Sequence, residues 1–159
     1  MSELRIAILT CSDTRSPAED TAGQALKELS TARGWSVVEY RVCPDEHDVI
    51  ASALVEMADV FCADVVFTCG GTGLGPRDVT PEATLSVAGR AVPGIAEHIR
   101  AESLRVTKRA MLSRAVAAQR GKTLIINMPG SLKAATETFS FVADQLEHAR
   151  DMAAGGGHG

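Results

Sequence analysis

Apolar residues along this chain follow two rhythms. Short unbroken runs at residues 4 to 10, 35 to 43 and 64 to 69 are each bounded by polar or glycine-rich clusters, as buried strands are. Between them, Ala22, Ala25, Leu26, Leu29 and Ala32 recur at the spacing of a helix face, and so do Val49, Ile50, Ala53, Leu54, Met57, Val60 and Phe61. Asp20 or Thr21 can cap the first of these helices and Gly34 stops it, while Pro44 closes the strand before the second. Strands alternating with amphipathic helices predict an α/β fold on a parallel sheet, where ligands collect beyond the carboxyl ends of the strands.

The second half is less regular. Proline at the first helical position starts a short helix at Thr80-Pro81-Glu82 and another at Pro93-Gly94, ahead of residues 95 to 104. Residues 110 to 119 fit helix or strand. Arg120-Gly121-Lys122 is a turn into a strand at 123 to 127, which favours a strand-turn-strand pairing. Met128-Pro129-Gly130-Ser131 breaks the chain, and Ala135, Phe139, Val142, Leu146 and Ala149 mark a final helix. One domain over residues 1 to 150, followed by a loose glycine-rich tail at 151 to 159, is the organisation expected.

Composition narrows the function. With 45% hydrophobic and 23% charged residues among 159, and no apolar stretch long enough to span a bilayer, the chain reads as a soluble domain. Met1-Ser2-Glu3-Leu4-Arg5 has none of the features of a signal peptide, so a cytoplasmic location is expected. A net charge of −4 gives no general attraction for nucleic acid or anionic membrane, so an anionic ligand must be held by a local constellation. Cys11, Cys43, Cys62 and Cys69 show no CxxC spacing and are expected as reduced thiols; His47, His98, His148 and His158 lack zinc-ligand spacing and are expected in solvent.

The densest chemistry lies at residues 68 to 84. Gly70, Gly71, Gly73 and Gly75 follow a strand directly, and such a loop lets backbone N–H groups approach a phosphate without Cβ obstruction. Arg77 and Asp78 add a phosphate-pairing cation and a carboxylate able to hold Mg²⁺. The loop matches neither the Walker pattern nor the dinucleotide pattern, and taken alone it could be only a tight turn. Asp45 follows a different strand end, where two carboxylates can share one hydrated Mg²⁺. It can equally cap a helix, and Asp78 can equally pair with Arg77. Ser113-Arg114 and Pro129-Gly130-Ser131 offer further donors, or simply an exposed strand residue and a turn. No Ser-His-Asp or Cys-His pair stands out, which favours positioned phosphoryl chemistry over a covalent nucleophile.

Three segments, residues 68 to 84, Met111-Leu112-Ser113-Arg114 and residues 124 to 131, together resemble the molybdenum-cofactor biosynthesis family, which includes molybdopterin adenylyltransferases and the gephyrin G domain. The resemblance runs over nearly the whole chain. It implies a three-layer α/β/α sandwich with a mostly parallel sheet, commonly trimeric, that moves AMP from ATP to molybdopterin with Mg²⁺ and passes the product on for metal insertion. Asp45 and Asp78 would be the functional, metal-holding carboxylates. Gly70, Gly71, Thr72, Gly73 and Arg77 would hold phosphate, and Ser12, Thr14, Ser113, Arg114, Pro129, Gly130 and Ser131 would line the rest. Cys69 stands where relatives often carry Thr or Leu, and Ser131-Leu132 departs from the family's Pro-Gly-x-Pro turn. A non-catalytic molybdopterin-binding protein or carrier of the same fold is the alternative.

Overall fold

The computed structural model describes residues 3–156. Along the chain run β1 (Arg5–Cys11), α1 (Thr21–Ala32), β2 (Ser36–Cys43), α2 (His47–Asp59), β3 (Val65–Cys69), α3 (Thr80–Val87), β4 (Arg90–Ala91), α4 (Pro93–Leu104), β5 (Ala117–Arg120), β6 (Thr123–Met128), α5 (Leu132–Val142) and α6 (Leu146–Ala153). The strands form one sheet in the order β2-β1-β3-β6-β5-β4. The first four in that order are parallel, and β5 and β4 add an antiparallel edge.

Strand side chains alternate between two cores. Ile6, Ile8, Val65, Phe67 and Ile126 pack with Leu26, Ile99, Phe139 and Leu146, beneath α1, α4, α5 and α6. Ala7, Leu9, Val66 and Ile125 pack with Ile50, Leu54, Met57 and Ala83, beneath α2 and α3. Both faces are covered, which is why the central strands read as unbroken apolar runs instead of alternating ones. The expected three-layer sandwich is therefore present. Phe139 anchors the thicker core, its ring centroid 5.9 Å from Trp35 and 5.7 Å from Phe67 in tilted contacts.

Buried polar groups are paired where they join elements. The Asn127 amide donates to Thr68 Oγ1 and Thr84 Oγ1, both at 3.0 Å, and its oxygen accepts from Val116 N at 3.1 Å, tying β6 to β3, α3 and the approach to β5. Of the two candidate caps for α1, Asp20 is the one used: its fully buried carboxylate accepts from Gly23 N at 3.0 Å and from the hydroxyls of Thr10 and Tyr40.

Three local differences from the sequence reading have physical causes. The strand-turn-strand pairing exists, but only from Ala117; Lys108–Leu112 forms a 3-10 helix started by the Thr107 hydroxyl, which accepts from Arg109 N, and Arg114 is drawn away to the glycine loop. The final helix is two helices joined by a 3-10 turn at Ala143–Gln145, whose tighter winding keeps Val142, Ala143 and Leu146 all in the core. Finally, α6 extends to Ala153, into the segment expected to be loose, while residues 157 to 159, including His158, lie outside the described residues.

Because β1, β2, β3 and β6 are parallel, with Cys11 opposite Cys43, Thr10 opposite Cys69 and Cys69 opposite Met128, the loops leaving them emerge side by side. Phe139→Ala removes the ring that bridges Trp35 and Phe67. It is expected to cost about 3–5 kcal/mol in urea unfolding, and a loss below about 1 kcal/mol would contradict this placement of the core.

Candidate functional site

The glycine loop takes a shape that side chains would block. Gly70 and Gly71 have φ of +92° and +70°. A Cβ on Gly70 would lie 2.7 Å from the Cys11 carbonyl oxygen, and one on Gly71 would lie 2.2 Å from Thr80 Oγ1. Asp78 folds back beneath the loop, accepting from Gly75 N at 2.9 Å, and a Cβ on Gly73 or Gly75 would meet that same carboxylate oxygen at 3.0 or 2.9 Å. Arg114 clamps the outer side. Its backbone N–H donates to Thr72 O at 2.8 Å, its side chain donates to Gly73 O and Asp78 O at 2.7 and 2.6 Å, and its remaining nitrogen pairs with Glu82. Held this way, the N–H groups of Gly71, Thr72 and Gly73 find no acceptor among the described residues. Adjacent unpaired N–H groups in such a loop form an anion-binding concavity.

The loops after β1 and β2 are bound to each other through two acids. Asp13 N donates to Asp45 Oδ2 at 3.0 Å, and Asp45 N donates to Asp13 Oδ1 at 2.9 Å. Arg77 forks onto Asp13 at 3.0 and 3.1 Å and comes within 4.0 Å of Glu46. This corrects two alternatives read from sequence: the partner of Arg77 is Asp13 and not Asp78, and the N-cap position of α2 is Glu46, with no side-chain cap bond from Asp45. Asp45 Oδ1 is instead buried without a hydrogen-bond partner, as is Thr80 Oγ1, and both atoms flank the space that a Gly71 side chain would fill.

A family model described as a probable molybdopterin binding domain matches residues 7–148. The molybdopterin adenylyltransferase of Helicobacter pylori is 37% identical over 159 residues, covering 98% of this chain and 90% of that protein. The molybdopterin adenylyltransferase of Escherichia coli is 40% identical over 148 residues, covering 91% and 76%. The chain belongs to the molybdenum-cofactor biosynthesis family. The crystal structure of the molybdopterin biosynthesis enzyme MoaB from Thermus thermophilus matches the fold with a TM-score of 0.87 at 43% identity, covering 96% of this chain and 97% of that one.

Within this member of the molybdenum-cofactor family, the residues singled out from sequence gather at one end of the sheet, but they do different jobs. Gly70, Gly71, Thr72 and Gly73 shape the cradle, and Arg114 maintains it from behind. Ser12 Oγ accepts from Thr14 N and Arg15 N at 3.3 and 3.1 Å, which shapes the β1 loop and leaves Thr14 exposed. Gly130 packs against Gly70, with its absent Cβ 3.3 Å from the Gly70 Cα, and Arg15 donates to Gly130 O at 2.8 Å. Pro129 precedes it in the same loop, and Ser131 caps α5 through Ala134 N at 3.3 Å. Ser113 is engaged by Ala115 N and Arg100. Cys69 is fully buried, and burial pushes its thiol up to about 12, which fits packing and not reactivity.

Sequence reading missed Asp13, Thr80 and Glu82. Asp13 stood in plain view between Ser12 and Thr14, as a third acid beyond a strand end; Thr80 was read only as part of a helix start. Among the described residues no group of three or more His, Cys, Asp or Glu gathers to hold a metal alone. Mg²⁺ suits what is present: one or two carboxylates, with water and substrate phosphates completing its shell. The unpartnered Asp45 Oδ1 is an oxygen that fits such an ion. Two cavities, of about 400 and 570 Å³, have no glycine-loop residue in their lining.

The two linked acids titrate in opposite directions. Arg77 and the Asp45 N–H hold Asp13 below the usual carboxylate range. Burial raises Asp45, and the charges of Asp13 and then Asp78 add to that rise. Asp45 is therefore a carboxylate only above a midpoint higher than the ordinary value, and it takes up a proton as pH falls through it. Asp13→Asn removes one neighbouring charge and releases Arg77, so the Asp45 midpoint is expected to move down. Carbon-13 NMR titration of the Asp45 carboxyl reads this directly, and an unmoved or higher midpoint in the variant would contradict the coupling.

Proposed function

We propose that this chain transfers AMP from ATP to molybdopterin, with Mg²⁺, releasing pyrophosphate and forming adenylyl-molybdopterin. The observation that carries the reading is the convergence beside Gly71 of unpaired loop N–H groups with two unpartnered buried oxygens, Asp45 Oδ1 and Thr80 Oγ1. A polyanion and its counter-ion satisfy both sets together. Relatives named for this activity span most of their own length and of this chain.

The chemistry asks little of proton transfer. An oxygen of the pterin's terminal phosphate is already anionic, so it can attack the α-phosphorus without a strong general base as the bond to the β-phosphate breaks. The work of the protein is alignment and charge balance. The N–H groups of Gly71, Thr72 and Gly73 hold phosphoryl oxygens, and Arg114 keeps their spacing through the loop carbonyls. Asp45 and Asp78 would hold Mg²⁺, which when bound offsets negative charge on the triphosphate. Ser12, Thr14, Ser113 and the Pro129-Gly130-Ser131 loop border the remaining space at the same strand ends. A cytoplasmic homotrimer that delivers its product to a molybdenum-insertion partner belongs to the same reading.

Asp78→Asn keeps an acceptor for Gly75 N and so preserves the loop, but it removes the charge. It is expected to lower pyrophosphate release from ATP and molybdopterin by on the order of 100-fold while pterin binding stays near that of the unmodified chain. Pterin binding without pyrophosphate release by the unmodified protein would reject catalysis in favour of a carrier. Full activity in the variant would remove Asp78 from the mechanism.

A further inference from the structure

Cys11 and Cys43 are register partners at the carboxyl ends of the neighbouring parallel strands β1 and β2. Both belong to the core layer beneath α2 and α3, so their side chains share one face of the sheet. Neighbouring strands lie about 4.8 Å apart, inside the Cα range of about 4.4–6.8 Å that disulfides accept. Cys43 also lines a cavity of about 400 Å³ between β2 and α2, bordered by Arg41, Val49, Ser52 and Ala53. The other two cysteines are placed differently: Cys69 packs on the opposite face of the sheet, and Cys62 is exposed before β3.

We propose that Cys11 and Cys43 form an oxidative modification site, closing to an intrachain disulfide when a hydroperoxide reaches Cys43 through that cavity. The Cys43 sulfur attacks the peroxide O–O bond, giving a sulfenic acid and releasing the alcohol, or water when the oxidant is hydrogen peroxide. The Cys11 sulfur then attacks the sulfenic sulfur, the S–S bond forms and water leaves. Two thiols are oxidised by two electrons and the hydroperoxide is reduced by two.

The bond would act on the site through short connections. Each cysteine precedes a site acid by two residues, in Cys11-Ser12-Asp13 and Cys43-Pro44-Asp45, and Ser12 N already donates to Cys43 O at 2.9 Å. The Cys11 carbonyl oxygen also supports Gly70, whose absent Cβ would lie 2.7 Å from it. Joining the two sulfurs fixes the ends of β1 and β2 to each other, and with them constrains the Asp13–Asp45 link and the start of the cradle. The effect on catalysis rests on the proposed adenylyl transfer; the bond itself does not.

The test uses the full chain carrying Cys62→Ser, so that the exposed thiol cannot bridge two molecules. After hydrogen peroxide, alkylation and digestion, mass spectrometry is expected to find the Cys11 and Cys43 peptides linked. The link should disappear with dithiothreitol and be absent when Cys43→Ser is added. Amide NMR signals of Asp13 and Asp45 are expected to shift on oxidation, a readout that needs no turnover. Pyrophosphate release is expected to fall, by up to roughly 100-fold for a displacement near 1 Å, and to recover on reduction. Failure to find the linked peptides overturns the modification site, and linked peptides with unmoved Asp13 and Asp45 signals overturn its control of the active site. If the reduced protein releases no pyrophosphate, the functional reading fails while the mass and NMR results still decide this one.

Discussion

Two acids held against each other set the geometry of everything else at this end of the sheet. Asp13 and Asp45 each accept a hydrogen bond from the other's backbone N–H, which brings like charges into contact across the ends of β1 and β2. Arg77 offsets one charge, and because it rises from the glycine loop it also joins the β3 loop to the pair. The Arg77–Asp13 contact is open to solvent and adds little to stability, so its consequence is positional. What is left over is Asp45 Oδ1, buried, raised in proton affinity and without a partner. A buried oxygen of this kind is a place that water, an ion or a ligand can complete.

The layers behind the site make this arrangement sustainable. Apolar side chains on both faces of the sheet bring four parallel strands to a common edge, and Asn127 satisfies its own polar atoms while joining β3, β6 and α3 under the glycine loop. The loop stores left-handed backbone at Gly70 and Gly71, and it is fixed from outside by Arg114 and from beneath by Asp78. Arg114, expected among ligand-facing donors, thus acts mainly on the protein's own carbonyls. That leaves the N–H groups of Gly71, Thr72 and Gly73, and not the Arg114 guanidinium, without a partner among the described residues.

The sheet was legible in sequence because burial on both faces writes unbroken apolar runs, and the glycine loop because four glycines in six positions directly follow one of them. Boundaries failed where tertiary contacts decide them. Residues 110 to 116 bend to bring Arg114 to the loop, and the break at Ala143–Gln145 reflects packing that a helical spacing pattern cannot express. β4 is only two residues long and has no period to detect. Asp13 was overlooked because its importance lies in partners 32 and 64 residues away, a relation that spacing along the chain does not contain. Thr80 is the same kind of case: its hydroxyl matters through Gly71, and its local pattern announces only the start of α3.

The central claim is that Asp45 is held ready for a cation that arrives with a polyphosphate. Mn²⁺, as a spectroscopic substitute for Mg²⁺, can be titrated by electron paramagnetic resonance against the protein with and without ATP. The account predicts weak Mn²⁺ binding by the protein alone and tight binding of a single ion per chain when ATP is present, lost in Asp45→Asn. Equal Mn²⁺ affinity in that variant with ATP bound would contradict it.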